Sequence, residues 1–242
     1  MTLDDILAAL FPNGSDINVT GTDVAGKATL PNGGSIHVLG ITQGAPLGVD
    51  EAIVLAQRVI EIIKSGDQSP ILLLVDSASQ RMSRRDELLG LSEYLAHLAK
   101  VLHLAEAEGH RTIGLLYGGS AAGAFIATAL AASTLVALPC AHPAVMDLPS
   151  MARVTKLPID VLKAKAETTP VFAPGLDNMV LTGGVHLVWD ADAPLAAQLA
   201  AVLARPAGRD ERDRLGAERG GRRKAAEIAD RVMAIATNAL AG

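Results

Sequence analysis

The chain has 242 residues, half of them hydrophobic but only 2% aromatic, and a formal net charge of −5. That acidic balance argues against nucleic acid or an anionic membrane as the main partner, because both call for a basic footprint. A lone Cys140 rules out an intrachain disulfide and a cysteine metal cluster, while the length suits one α/β domain with a core of Ala, Val, Leu and Ile.

Met1–Asp5 is acidic where a signal peptide would be basic, so a cytoplasmic protein is expected. Leu3 to Phe11 forms a short amphipathic start. Lys27–Leu30 and Ser35–Leu39 flank Pro31-Asn32-Gly33-Gly34, where Asn and Gly supply the positive φ of a hairpin turn. From Asp50 to Lys64, Ile53, Ala56, Ile60 and Ile63 recur at helical spacing, and Ser65-Gly66 stops the helix. Ile71–Val75 is a continuous apolar run between Pro70 and Asp76, the pattern of a strand covered on both faces.

A long helix from about Asp86 to Glu108 leads through Gly109 to a second buried strand, Thr112–Tyr117, and then to Gly118-Gly119-Ser120-Ala121-Ala122-Gly123. The uncharged run Ala121–Leu138 approaches the length of a membrane span. It reads instead as a helix, Ala121–Ala132, followed by a strand, Leu135–Leu138. A proline-punctuated segment runs from Pro139 to Pro174, and Val185–Trp189 forms a last strand. One helix follows Pro194 and another spans about Lys224 to Leu240. Strands alternating with helices imply a largely parallel sheet.

The glycine turn is the centre of any chemistry. Amides at the start of a helix that follows a strand point at whatever lies above the strand end, and adjacent glycines let a ligand approach the backbone. A Walker loop needs a Lys that does not follow Gly123, and the dinucleotide GxGxxG pattern is absent, so phosphate is disfavoured. A nucleophile elbow, GxSxG, would make Ser120 the nucleophile, but Ala122 stands at its last position. An oxyanion site and a tight turn needed only for packing remain.

The order of hairpin, helix, Ile71–Val75 strand, long helix, strand to Tyr117 and Gly118-Gly119-Ser120, together with Ala141-His142-Pro143-Ala144-Val145-Met146-Asp147-Leu148-Pro149-Ser150-Met151, resembles the malonate decarboxylase gamma subunits. These belong to the acyl-CoA carboxyltransferase branch of the crotonase superfamily. The resemblance implies an α/β, crotonase-like ββα spiral in a single domain, with a core at about 18–190 and a helical segment at about 194–242. It implies decarboxylation of a malonyl thioester on an acyl carrier protein to the acetyl thioester and carbon dioxide. A beta subunit of similar fold would share the site in a heterodimer, and the carrier protein and an acyl-transferase subunit would complete the complex.

In that picture Gly118 and Gly119 donate backbone amides to the enolate oxygen and Ser120 opens the following helix. The chain itself would bind no metal or cofactor, its substrate arriving on the coenzyme A-like arm of the carrier. Where some relatives carry a catalytic Glu, this chain has Asp147, Leu148, Pro149 and Ser150, so the proton donor is sought among Tyr117, His142, water and a partner group. Two other readings stand beside this one: a biotin-dependent carboxyltransferase subunit, and a non-catalytic partner of the beta subunit.

Three further features draw notice. Asp76-Ser77-Ala78-Ser79-Gln80-Arg81 lies at the sheet end where sites gather, where it either caps the loop or contacts substrate, and the resemblance implies that Ser77 or Gln80 touches the thioester arm. Arg219–Lys224 is a basic cluster, either a solvated helix entrance or a contact for an acidic carrier and its phosphates. The terminal helix carries Ile228, Val232, Ile235 and Ala236 on one stripe, which calls for burial.

Overall fold

The computed structural model describes residues 1–170, 173–206, 208 and 210–240. In chain order its elements are α1 (Leu3–Leu10), β1 (Ser15–Thr20), β2 (Asp23–Thr29), β3 (Ser35–Leu47), α2 (Val49–Lys64), β4 (Ile71–Gln80), α3 (Arg84–Leu89), α4 (Leu91–Ala107), β5 (Thr112–Leu116), β6 (Gly119–Ala121) and α5 (Ala122–Ala127). They continue with β7 (Thr134–Ala137), β8 (His142–Ala144), α6 (Leu148–Thr155), α7 (Ile159–Thr168), α8 (Leu176–Leu181), β9 (Leu187–Val188), α9 (Leu195–Leu203), α10 (Arg212–Glu218) and α11 (Ala225–Leu240). These fall into two compact units, Met1–Val145 with Leu187–Gly208, and Met146–His186 with Arg209–Gly242.

The first unit is built on a seven-stranded sheet of order β1-β2-β3-β4-β5-β7-β9. β1, β2 and β3 run antiparallel, and from β3 onward every pairing is parallel. The apolar run of β4 is buried because side chains alternate across a sheet covered on both faces. Leu72 and Leu74 point into a core with Val38, Leu115, Ile6 of α1 and Leu199 of α9. Leu73 and Val75, equally buried, point to the opposite face, where α2, α4 and α5 lie.

The hairpin between β2 and β3 turns at Pro31–Gly34, where Gly33 has φ +83° and the Asn32 side chain accepts the Gly34 N–H at 3.0 Å. The strands extend further than their apolar residues suggest, and β1 adds an edge strand that is almost wholly exposed. The expected helix from Asp86 to Glu108 is two helices, because Gly90 at φ +82° takes the left-handed conformation and ends α3 before α4 begins.

The expected helix from Ala121 to Ala132 is likewise interrupted. α5 spans only six residues and stops at Thr128, whose φ of −112° and ψ of −87° leave the helical region and whose hydroxyl donates to the Ala124 carbonyl at 2.6 Å. A single 3-10 turn, Ala129–Ala131, follows. The expected strand Val185–Trp189 is paired only at Leu187–Val188, with the Trp189 N–H adding one bond to the Ala137 carbonyl.

The second unit is helical. α6 is capped by Asp147, whose carboxylate accepts the Ser150 N–H at 2.6 Å. Within this unit Arg219 donates to the carbonyls of Val180, Val185 and His186 at 2.7–2.8 Å. In α11, Ile228, Val232 and Ile235 are 56–61% exposed, so among the described residues of this unit the apolar stripe that calls for burial stays largely uncovered. Among the described residues, no helix is long and apolar enough to cross a membrane.

Candidate active site at the Gly118 turn

The turn leaves the carboxyl end of β5 and is gripped from three sides. Asp76 follows the buried run of β4, so its side chain sits beside the next strand's exit. Its Oδ1 accepts the Gly119 N–H at 3.0 Å and its Oδ2 the Gly44 N–H at 3.2 Å. Gly44 arrives there because β3 breaks register against β4 between Ile41 and Ala45, with Gln43 and Gly44 at φ +65° and +60°.

Next along β4, Ser77 meets Ser120, hydroxyl to hydroxyl, at 2.9 Å, with both side chains buried. Two residues beyond Ser120, the chain enters α5 through Ala122, at φ +50°. The Gln80 carbonyl oxygen then accepts the Gly123 N–H at 2.9 Å.

This packing explains both glycines. A Cβ on Gly118 would lie 2.1 Å from Asp76 Oδ1, and one on Gly119 would lie 2.9 Å from the Ser77 carbonyl oxygen and 3.0 Å from His142 Nε2. The turn therefore has no room for a side chain at either place.

The placement corrects one sequence expectation. Ser120 does not open the helix: Gly119–Ala121 is a short strand, β6, paired in parallel with β8, and α5 starts at Ala122 with no side-chain cap. The amides that would have been the helix N-terminus are elsewhere employed, Gly119's on Asp76 and Gly123's on Gln80. Gly118 differs. It is half-exposed, its carbonyl accepts the His142 N–H at 3.0 Å, and among the described residues no acceptor takes its own N–H.

The His142 side chain packs against Gly119. Its Nδ1 is 3.3 Å from the Cys140 carbonyl, which can only accept, so Nδ1 carries a proton and Nε2 is the atom that faces Gly119. The Cys140 thiol donates to the Tyr117 carbonyl at 3.2 Å and pins the same bend. Tyr117 itself turns inward. Its hydroxyl donates to Thr42 Oγ1 at 2.6 Å within the core, and burial pushes its pKa up to about 12. A phenol so placed stays protonated at neutral pH, with its hydroxyl committed to Thr42.

Gly118, Gly119, Ser120 and His142 thus come together, Tyr117 adjoins them by its backbone, and Ser77 and Gln80 serve the turn's own architecture. Thr42 and Gly44, and the role of Asp76 as the turn's acceptor, are what motif reading does not reach. The one available signal is an Asp directly after a buried parallel strand, at the end where functional groups collect. Ser120 has Ser77 as its partner where a nucleophilic serine would have a base.

A groove of about 250 Å³ runs beside Gly123, walled by Leu95, Ala96 and Ala99 of α4 and Ile126 of α5. A larger cleft of about 320 Å³ lies elsewhere in this unit, where Asp23 pairs with Arg58, beside Thr20 at the end of β1 and Val54 of α2. No cluster of three or more metal-ligating side chains exists among the described residues.

Comparison with known proteins agrees with this architecture. A crystal structure of a Pseudomonas malonate decarboxylase hetero-tetramer in complex with coenzyme A contains a chain 26% identical, with a TM-score of 0.75, covering 96% of this chain and 97% of that one. A Pseudomonas malonate decarboxylase hetero-tetramer in complex with malonate gives 26% identity, a TM-score of 0.74 and 96% coverage of both chains. Malonyl-S-ACP:biotin-protein carboxyltransferase MADD of Malonomonas rubra is 29% identical over 196 residues, 73% of this chain and 67% of that protein.

The transcarboxylase 12S core, 18% identical, shares the fold with a TM-score of 0.67 over 86% of this chain and 42% of its own. The fold is therefore the mixed α/β, crotonase-like fold of the carboxyltransferases, extended by C-terminal helices. The family model for the malonate decarboxylase gamma subunit matches residues 42–236, a span that holds the Gly118 turn and every residue that grips it, and the chain belongs to that family.

Proposed function

We propose that this chain is the gamma subunit of a malonate decarboxylase. It acts with a beta subunit on a malonyl thioester of an acyl carrier protein, releasing carbon dioxide and leaving the acetyl thioester. The observation that carries this reading is the family match across residues 42–236, and the geometry of the turn supplies a chemical rationale.

When the bond between the carboxylate and C2 breaks, its electron pair becomes the enolate of the thioester, with negative charge on the carbonyl oxygen. A preorganised amide is worth most there, because it need not reorient as charge develops; one such donor contributes roughly 3–4 kcal/mol. The Gly118 N–H is the donor on offer. Gly119, its amide already committed to Asp76, holds the peptide plane. C2 must then take a proton, and His142 Nε2, when protonated, is the titratable donor that stands beside the turn.

The thioester arm and the carrier protein belong to the substrate. The Pseudomonas structures with coenzyme A and with malonate support ligands of that chemistry, and a solved Pseudomonas MdcD–MdcE hetero-dimer supports a beta subunit as partner. Co-expression with a beta subunit, followed by an assay on malonyl carrier protein, tests the reading: carbon dioxide and acetyl carrier protein are expected in equal amounts. A stable heterodimer without turnover would favour the scaffold role.

A second reading rests on the Malonomonas relative, whose name assigns it carboxyl transfer to a biotin protein. The same enolate would form, with the carboxyl passing to biotin. Avidin separates the two: turnover that survives excess avidin belongs to direct decarboxylation, and turnover abolished by avidin belongs to transfer.

A further inference from the structure

Asp76 joins three separate stretches of chain through one carboxylate. Its two oxygens accept the amides of Gly119, in the turn, and Gly44, at the break in β3, while its own backbone belongs to β4. Hydrogen bonds to an ionised acceptor are about twice as strong as neutral ones. The fit is close enough that no side chain can stand at Gly118 without expelling Asp76.

From this bridge, and resting on the reading above, we propose that Asp76 is the positioning residue of the oxyanion site: it draws the Gly119 N–H inward and so leaves the Gly118 N–H as the amide that faces substrate. The two glycines then have different duties. A peptide plane is rigid, so fixing the N–H of Gly119 also fixes the carbonyl of Gly118, which the His142 amide holds from the other side at 3.0 Å. With both ends of that peptide tied, rotation about Gly118, the residue with the freest backbone in the turn, is suppressed, and the Gly118 N–H is held in one direction before charge develops.

Asp76 touches no reacting atom in this account. Its loss would let the peptide turn over without emptying the site, so it should act on the chemical step more than on binding. Asparagine separates geometry from charge. It keeps a carbonyl oxygen for Gly119, but presents an NH₂ group to Gly44.

The test uses the full chain for amide exchange and its complex with a beta subunit for kinetics on malonyl carrier protein. In Asp76→Ala the Gly119 amide should exchange at least about ten-fold faster than in wild type, while β5, Thr112–Leu116, keeps its protection. The kcat should fall by about ten-fold or more, with KM within about two-fold. Asp76→Asn should keep the Gly119 protection and a kcat within about three-fold of wild type.

Wild-type kcat in Asp76→Ala, unchanged Gly119 exchange, or an Asp76→Asn variant as impaired as the alanine would each overturn the proposal. Should Asp76→Ala also lose the protection of β5, Asp76→Asn decides alone by the same two readouts. A wild-type complex inert toward the malonyl thioester would sink the decarboxylase reading instead, and amide exchange would still decide whether Asp76 holds Gly119.

Discussion

The hydroxyls of Ser77 and Ser120 meet at 2.9 Å, each side chain withdrawn from solvent, and so tie the end of β4 to the strand that follows the glycine turn. Removing one hydroxyl strands the other in a buried place, which costs roughly 1–3 kcal/mol. Ser120→Ala and Ser77→Ala are each expected to lower stability by that order. The double variant should lose less than their sum, because the orphaned partner is gone. Denaturant unfolding checks the cycle. Turnover separates this role from nucleophilic chemistry: Ser120→Ala should keep most of its activity, and complete loss in a well-folded variant would restore Ser120 as a nucleophile.

Alanine at the two glycines should have unequal consequences. At Gly118 the new methyl collides with the Asp76 carboxylate at 2.1 Å, and both amide bonds to Asp76 are lost. At Gly119 it meets the Ser77 carbonyl at 2.9 Å, a backbone atom held in a sheet, and His142 Nε2 at 3.0 Å, which can swing aside. Gly118→Ala should therefore cost at least about 2 kcal/mol of stability together with the activity. Gly119→Ala should fold better while displacing the imidazole, with its defect in kcat. Equal unfolding midpoints for the two variants would contradict this ordering.

How far the sequence leads can be judged at these same residues. The buried strands of the sheet are legible because Ile71–Val75 and Thr112–Leu116 are continuous apolar runs, and the hairpin because Asn32 and Gly33 leave few other conformations. β1 is illegible: an edge strand that buries almost nothing has no apolar alternation to display.

The break at Gly90 and the early end of α5 are hidden because Leu91 and Ala129 continue apolar patterns that would suit one helix, although a left-handed Gly90 and the turn at Thr128 interrupt them. At the site, Gly118-Gly119-Ser120 marks the turn. The Asp76 segment is legible at the strand end, but its meeting with Gly44 escapes notice because it depends on a register shift in β3, which no local motif encodes.

Tyr117 and His142, both candidates for the proton donor, should separate cleanly. Tyr117→Phe leaves Thr42 without its partner at a buried position, a loss of about 1–2 kcal/mol, with decarboxylation little changed. His142→Gln removes the imidazole beside the turn and should lower kcat by about 10²–10⁴-fold in steady-state assays of the complex.

The tyrosine makes a further prediction. Its folded-state pKa, near 12, lies above the ordinary value of 10, so the folded chain favours the neutral phenol. That contribution to stability is complete below pH 10 and disappears as pH rises from 10 toward 12. Tyr117→Phe should flatten this alkaline loss. A large fall in kcat for Tyr117→Phe, with His142→Gln active, would reverse the assignment.

Arg219 offers a last test, this time of the second unit. Sequence alone places it in a basic cluster, read as a solvated helix entrance or as a contact for an acidic carrier, but its guanidinium is spent on the carbonyls of Val180, Val185 and His186. A planar fork can serve three acceptors at once, where a lysine ammonium at the end of a flexible stem reaches at most one or two in that geometry. Arg219→Ala should therefore destabilise the chain by about 2–3 kcal/mol, and Arg219→Lys should recover less than half of that. The salt dependence of KM for the carrier should stay unchanged in Arg219→Lys, because a residue bound to its own backbone takes no part in steering an acidic partner. A stability within about 0.5 kcal/mol of wild type for Arg219→Ala, or a salt slope altered in Arg219→Lys, would return this arginine to the exposed basic surface with Arg223 and Lys224.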